Sequence, residues 1–286
     1  MDVKNIQGVE MANIKTISTV DAQEWEVVYE VDFTGLATSA ILNTNPGTDS
    51  SVSISGPHAV TWICKFGSDT SYVNRVQIVG GTGLQFEHLV GETQSHLYQN
   101  LNTAPRLMAL ASNIVPGLSA DDVIEFQVLQ ESDGLSGDWQ FYGLHMNDGN
   151  MASAGNWAHN STIDVGAAIY DQLRTGNGDI QSSYVVATGG TPEPGFRALR
   201  WNAGAGGFEG TSKFTDKFIS PATTTDFNST GVVSAACSNV STAAPVISIA
   251  NGYIALHAAY PTPAGAPTAA AYTATFTKFR ALKRSN

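Results

Sequence analysis

Glu30 and Asp32 stand two positions apart in Trp25-Glu26-Val27-Val28-Tyr29-Glu30-Val31-Asp32-Phe33. On a strand, that spacing puts two carboxyl groups on one face, and retaining glycoside hydrolysis needs a nucleophile and an acid roughly 5 to 5.5 Å apart. The same alternation also produces the solvated face of an amphipathic strand, and that is the reading adopted: no third acid follows, since Thr34 and Gly35 come next. Oxygen ligands for calcium occur in Asn147-Asp148-Gly149-Asn150 and Asn177-Gly178-Asp179. Neither run completes the acidic spacing of a dedicated calcium loop, and both read as turns. His145, His159 and His257 have no i, i+4 histidine and no nearby cysteine, so no zinc site is expected. Neither G-x-S-x-G nor G-x-x-x-x-G-K occurs, and the glycine-rich run from Asn202 to Gly207 contains no lysine and reads as a loop. No catalytic residue, metal or cofactor is expected.

Trp157, within Gly155-Asn156-Trp157-Ala158-His159-Asn160, is the aromatic residue most suggestive of binding. Its small polar neighbours predict a loop. An exposed indole beside Asn156 and His159 would offer a sugar an apolar face together with hydroxyl partners. A tryptophan closing the end of a sandwich would look the same, and tryptophan is mostly buried in folded proteins. Trp201 is a second candidate for such a platform.

The elements that would hold these residues are strands. Residues 25–33 alternate Trp25, Val27, Tyr29, Val31 and Phe33 with mostly acidic residues, the pattern of a half-buried strand. Further strands are predicted at 60–66, 73–79, 83–89, 123–130, 139–146, 181–187, 195–201, 214–219, 246–250, 253–258 and 272–282. Turn signals such as Asn45-Pro46-Gly47, Gly80-Gly81 and Gly189-Gly190 separate them. Asn251-Gly252 predicts a type I′ hairpin between 246–250 and 253–257. Helix is expected only at Pro105 to Ala111 and in a short element lined by Val165, Ile169 and Leu173. The expected fold class is all-β: a two-sheet antiparallel jelly-roll sandwich over 25–286, behind an N-terminal arm at 1–24.

Composition narrows the partners. The chain has 286 residues, 42% hydrophobic but only 14% charged, and a net charge of −11 with no basic run. Nucleic acid and anionic membrane are therefore disfavoured. No stretch approaches the roughly 18 to 20 apolar residues of a membrane span, and the start Met1-Asp2-Val3-Lys4 lacks the layout of a secretory signal. Met11 reads as a second start. The N-x-Ser/Thr sites at Asn160, Asn228 and Asn239 carry weight only in a secretory pathway, and Cys64 and Cys237 read as separate buried thiols.

The aromatic strand ending Val31-Asp32-Phe33 and the closing run Tyr272-Thr273-Ala274-Thr275-Phe276-Thr277-Lys278-Phe279-Arg280-Ala281-Leu282 resemble the layout of concanavalin-like (laminin-G-like) jelly rolls, in which the first and last strands lie close together. The Ala-, Thr- and Gly-rich composition, with its short polar arm, also resembles accessory structural proteins of tailed bacteriophages. These resemblances imply a non-enzymatic virion protein, oligomeric, assembled in a host cytoplasm on other virion proteins or copies of itself, and able to meet host surface glycans. A stand-alone carbohydrate-binding module and a glycoside hydrolase are the alternatives.

Overall fold

A computed structural model describes residues 25–42, 50–65, 75–88, 106–119, 121–132, 139–147, 156–165, 169–177, 184–187, 195–202, 207–214, 217–218, 252–259 and 272–284. The arm at 1–24, the 246–250 half of the expected Asn251-Gly252 hairpin, and Cys237 lie outside these residues.

The strands are β1 (Trp25–Asp32), β2 (Ser50–Ser55), β3 (Ala59–Lys65), β4 (Arg75–Val79), β5 (Gly83–His88), β6 (Arg106–Leu110), β7 (Val123–Ser132), β8 (Trp139–Asn147) and β9 (Asn156–Val165). They continue as β10 (Ile169–Asn177), β11 (Tyr184–Ala187), β12 (Gly195–Asn202), β13 (Gly207–Phe214), β14 (Tyr253–Ala259) and β15 (Tyr272–Arg284). Helix among the described residues amounts to a 3-10 turn, Phe33–Gly35, and a single turn α1, Ala111–Ile114. All strand pairings are antiparallel. Sheet I runs β13-β12-β7-β15-β5-β4, and β1 joins it through β15; sheet II runs β11-β10-β9-β8-β14-β6-β3-β2. The all-β sandwich expected from the sequence is the fold observed.

One long strand organises sheet I. β15 pairs with β7 along one side from Ala274 to Arg284. On its other side Tyr272 to Phe276 pair with β5, and Lys278 to Arg284 pair with β1. The first and last predicted strands are therefore neighbours, as the jelly-roll resemblance implied. Between the sheets, Phe279 packs against Trp62 edge to face at 5.3 Å, Tyr29 at 6.2 Å and Phe126 at 6.2 Å. Such ring pairs add about 0.5–1.5 kcal/mol each beyond the area they bury. Tyr29 of sheet I also donates from its hydroxyl to the Ile54 carbonyl of sheet II, at 3.2 Å. The β4–β5 hairpin turns through Gly81 and enters β5 at Gly83, whose φ is +136°. A Cβ there would meet the Phe276 carbonyl oxygen at 2.6 Å, so a side chain would block the approach of β5 to β15.

Three expectations are corrected. Arg106 to Leu110 is a strand rather than a helix, and only Ala111–Ile114 makes a helical turn. Its residues favour helices intrinsically, but the segment lies between β14 and β3, where ladder bonds on both sides override that preference. Val165, Ile169 and Leu173 do not line a helix: Val165 ends β9, while Ile169 and Leu173 belong to β10, paired back on β9. The strand expected at 214–219 is displaced, since β13 occupies Gly207–Phe214 and begins inside the glycine-rich run that had read as a loop.

Candidate functional site

Glu30 and Asp32 share the outward face of β1, and each stands opposite a base on β15: Glu30 opposite Arg280 and Asp32 opposite Lys278. The Lys278 ammonium lies 3.3 Å from Asp32, and the Arg280 guanidinium 4.0 Å from Glu30. Asp32 also caps the 3-10 turn, accepting from the Thr34 amide at 2.9 Å and the Thr34 hydroxyl at 2.5 Å. Burial pushes its carboxyl up, but the Thr34 bonds and Lys278 outweigh this and hold it below the usual carboxylate range. Further across sheet I, Arg280 Nε donates to Gln127 at 2.7 Å, and Gln127 donates to Glu125. Arg200 Nε donates to Glu125 at 3.0 Å. Trp25 lies 4.9 Å from the Arg200 guanidinium, and Phe218 lies 4.2 Å from that of Arg280. Acids and bases on this face neutralise one another in pairs across β1, β15, β7 and β12.

Sheet II is organised differently. On β14 and β6, Ile254, Leu256, Leu107 and Ala109 belong to the main core, while Met108, Ala255 and Tyr253 cluster on the opposite, outward side. Arg106 and His257 occupy that outward alternation as cross-strand partners, with 0% and 1% of their surface exposed. Burial pushes Arg106 down to about 9, which leaves the guanidinium charged at neutral pH. His257 is held well below its ordinary value of 6.5 by burial first and by the Arg106 charge second, so its imidazole is neutral in the fold.

That neutral histidine predicts a pH dependence. The unfolded chain takes a proton on His257 below about pH 6.5 and the folded chain does not, so stability falls as pH drops through that value. The slope for one such group approaches about 1.4 kcal/mol per pH unit. Urea titrations between about pH 7.5 and pH 5 check this. His257→Gln flattens the profile, and an unchanged slope in that variant counts against the assignment.

The unbroken pairing of sheet II extends these rows across β8, β9 and β10. His257 is opposite Gly143, which is opposite Ser161, which is opposite Gln172. The next row joins Ala255, His145, His159 and Arg174, and the one beyond it joins Tyr253, Asn147, Trp157 and Gly176. Trp157, expected in a loop, is the second residue of β9, its polar neighbours concealing the alternation of a strand. Of the sequence candidates, Trp157 and His159 share one alternation of β9, whereas Asn156 falls in the other. Trp201 is on β12 of sheet I, opposite Ile124 and packed against the main core, so the two tryptophans form no common platform. Arg106 and Tyr253 were missed by the sequence reading, although a charged residue opening the apolar run Arg106 to Leu110 was a visible signal. Asn147 and Asn177 end β8 and β10, and the rest of each calcium-like run lies outside the described residues.

No family model matches the sequence, and no curated protein does. Solved structures of similar fold include an endo-β-1,3-glucanase from Pyrococcus furiosus, at 13% identity and TM-score 0.44, over 93% of this chain and 97% of that one. A second is the catalytic domain of an endo-1,3-β-glucanase (laminarinase) from Thermotoga petrophila RKU-1, at 10% identity and TM-score 0.45, over 93% and 100%. A third is a non-specific endo-β-1,3(4)-glucanase, at 11% identity and TM-score 0.41, over 91% and 92%. The concanavalin-like, jelly-roll part of the expected resemblance stands at the level of fold. The bacteriophage part has no support among these structures. The expectation of a chain without enzymatic activity is corrected, because three solved structures of similar fold are enzymes by name, and it is not carried forward.

Proposed function

We propose that this protein binds carbohydrate, and that the saccharide meets the outward face of sheet II at the end marked by half-buried Tyr253. The observation that supports this is the register row that sets Trp157 beside Asn147 and Tyr253. Aromatic residues offer flat apolar surface to the C–H faces of a sugar ring, while an amide such as that of Asn147 supplies a hydroxyl partner. Antiparallel pairing holds such residues on a rigid surface rather than on a loop, which limits the ordering cost of binding.

Affinity electrophoresis against a panel of plant, algal and bacterial polysaccharides tests the proposal. Reducing ends are followed in the same mixtures, so that binding and cleavage are read separately. At least one polysaccharide is expected to retard the protein. Trp157→Ala and Tyr253→Ala should each weaken that retardation about tenfold or more, with the unfolding temperature of Trp157→Ala close to that of the parent. Retardation unaffected by either substitution would remove sheet II as the site, and no retardation by any member of the panel would remove the function.

A further inference from the structure

We propose that the protein forms a two-fold dimer by pairing β2 of one copy with β2 of a second, so that the two copies of sheet II become one continuous antiparallel sheet. β2 ends sheet II, and among the described residues no strand lies along its outer side. An edge strand presents unpaired amide and carbonyl groups, and monomeric β proteins blunt such edges with charges, proline, bulges, short strands or a covering segment. Each of the other described edge strands has one of these devices. β1 carries exposed Glu26, Glu30 and Asp32 and a register break between Val27 and Tyr29. β4 is covered by the segment ahead of β2, whose Ser39 and Leu42 amides donate to the Ile78 and Val76 carbonyls at 3.0 and 2.7 Å. β13 contains Glu209 and Lys213, and β11 is four residues long. By contrast β2, Ser50-Ser51-Val52-Ser53-Ile54-Ser55, keeps an unbroken register with β3 and contains no charge and no proline.

The residues of the edge specify its occupant. Ser51, Ser53 and Ser55 are exposed on the outward face, whereas Ile54 belongs to the core and half-buried Val52 packs against its border. Residues directly opposite one another in an antiparallel pair share a face, so a two-fold axis must pass through a residue rather than between two; a slip of one residue would turn the core side of one copy to solvent. With the axis at Ser53, Ser51 meets Ser55 of the partner subunit, and Val52 meets Ile54 of the partner subunit. Hydroxyl then faces hydroxyl on the outside, and apolar meets apolar within. A charged strand would find no complement here, while a second copy matches every position. Apolar surface is also left open at this border. Ile41 and Val27 are the exposed large apolar residues among those described, and Ile41, at 52%, adjoins Leu42, whose carbonyl accepts from the Ser50 hydroxyl at the start of β2. Pairing at this edge extends the core past Val52. It leaves the row of Trp157, Asn147 and Tyr253 uncovered, because β14, β8 and β9 lie beyond β6 and β3.

Light scattering of the full chain between about 1 and 100 µM tests the association. The expected mass is twice the 30.1 kDa of one chain. Ser53→Lys sets two ammonium groups opposite each other at the axis, and it should move dissociation to about tenfold higher concentration or beyond, with an unchanged circular dichroism spectrum. Ser53→Cys tests the register. Residues facing each other across an antiparallel pair have Cα atoms about 4.5–5.5 Å apart, within the range a disulfide bridges, so mild oxidation should link two copies through position 53. Ser51→Cys should not link, because its counterpart lies four residues along the partner strand, roughly 13 Å away. A monomer at every concentration, or a mass above that of the dimer, would overturn the proposal. So would a dimer that Ser53→Lys leaves intact, or one in which Ser51→Cys links as readily as Ser53→Cys.

Discussion

Replacing Glu125 with alanine should destabilise the fold by about 3–5 kcal/mol, the cost of leaving one member of a buried ion pair without the other. Glu125 is completely buried and accepts from both Arg200 and Gln127, so the substitution strips the Arg200 guanidinium of its carboxylate inside the protein. The defect also spreads, because Gln127 is what connects Glu125 to Arg280. The double substitution Glu125→Leu with Arg200→Leu discriminates between a lost pair and lost packing. Apolar replacement of a whole buried pair is often neutral, so the double variant should recover most of the stability measured by denaturant titration. A double variant as unstable as Glu125→Ala would show that the polar chain across sheet I is needed as a unit.

Phe279→Ala should cost a similar amount, about 3–5 kcal/mol, through a different cause. Its ring meets Tyr29, Trp62 and Phe126, which come from β1, β3 and β7, so one truncation opens a cavity touching both sheets. Phe279→Leu keeps much of the volume and should lose distinctly less than the alanine variant. Equal losses for the two would mean that ring geometry rather than filled space holds the sheets together.

Much of the fold was legible because the strands of sheet I announce themselves. β1, β4, β5, β7, β12 and β15 each combine β-branched or aromatic residues with turn formers at their ends, and Gly80-Gly81 marks a hairpin that the structure contains. β6 was illegible for a physical reason: Arg106-Leu107-Met108-Ala109-Leu110 is a run of helix formers without alternation, and only its neighbours on both sides make it a strand. β9 and β10 were obscured in the opposite way, since Asn156 to Thr162 is polar on both alternations. The sequence singled out Trp157 and His159, but the residues that share their cross-strand rows come from β8, β10 and β14. Position 253 lies almost a hundred residues from position 157, and only strand pairing joins them.

The placement of β15 governs the order in which the molecule can be made. β1, β5 and β7 all pair with this one strand, and it is encoded after every other described strand. While the ribosome is still translating the middle of the message, β1 lacks its one partner among the described strands, and its apolar side waits through some 240 further residues before residues 272–284 emerge. Sheet I therefore closes only once β15 has been made, in a step dominated by contacts distant in sequence, which sets a slow folding rate and exposes strand edges to neighbouring nascent chains in the meantime.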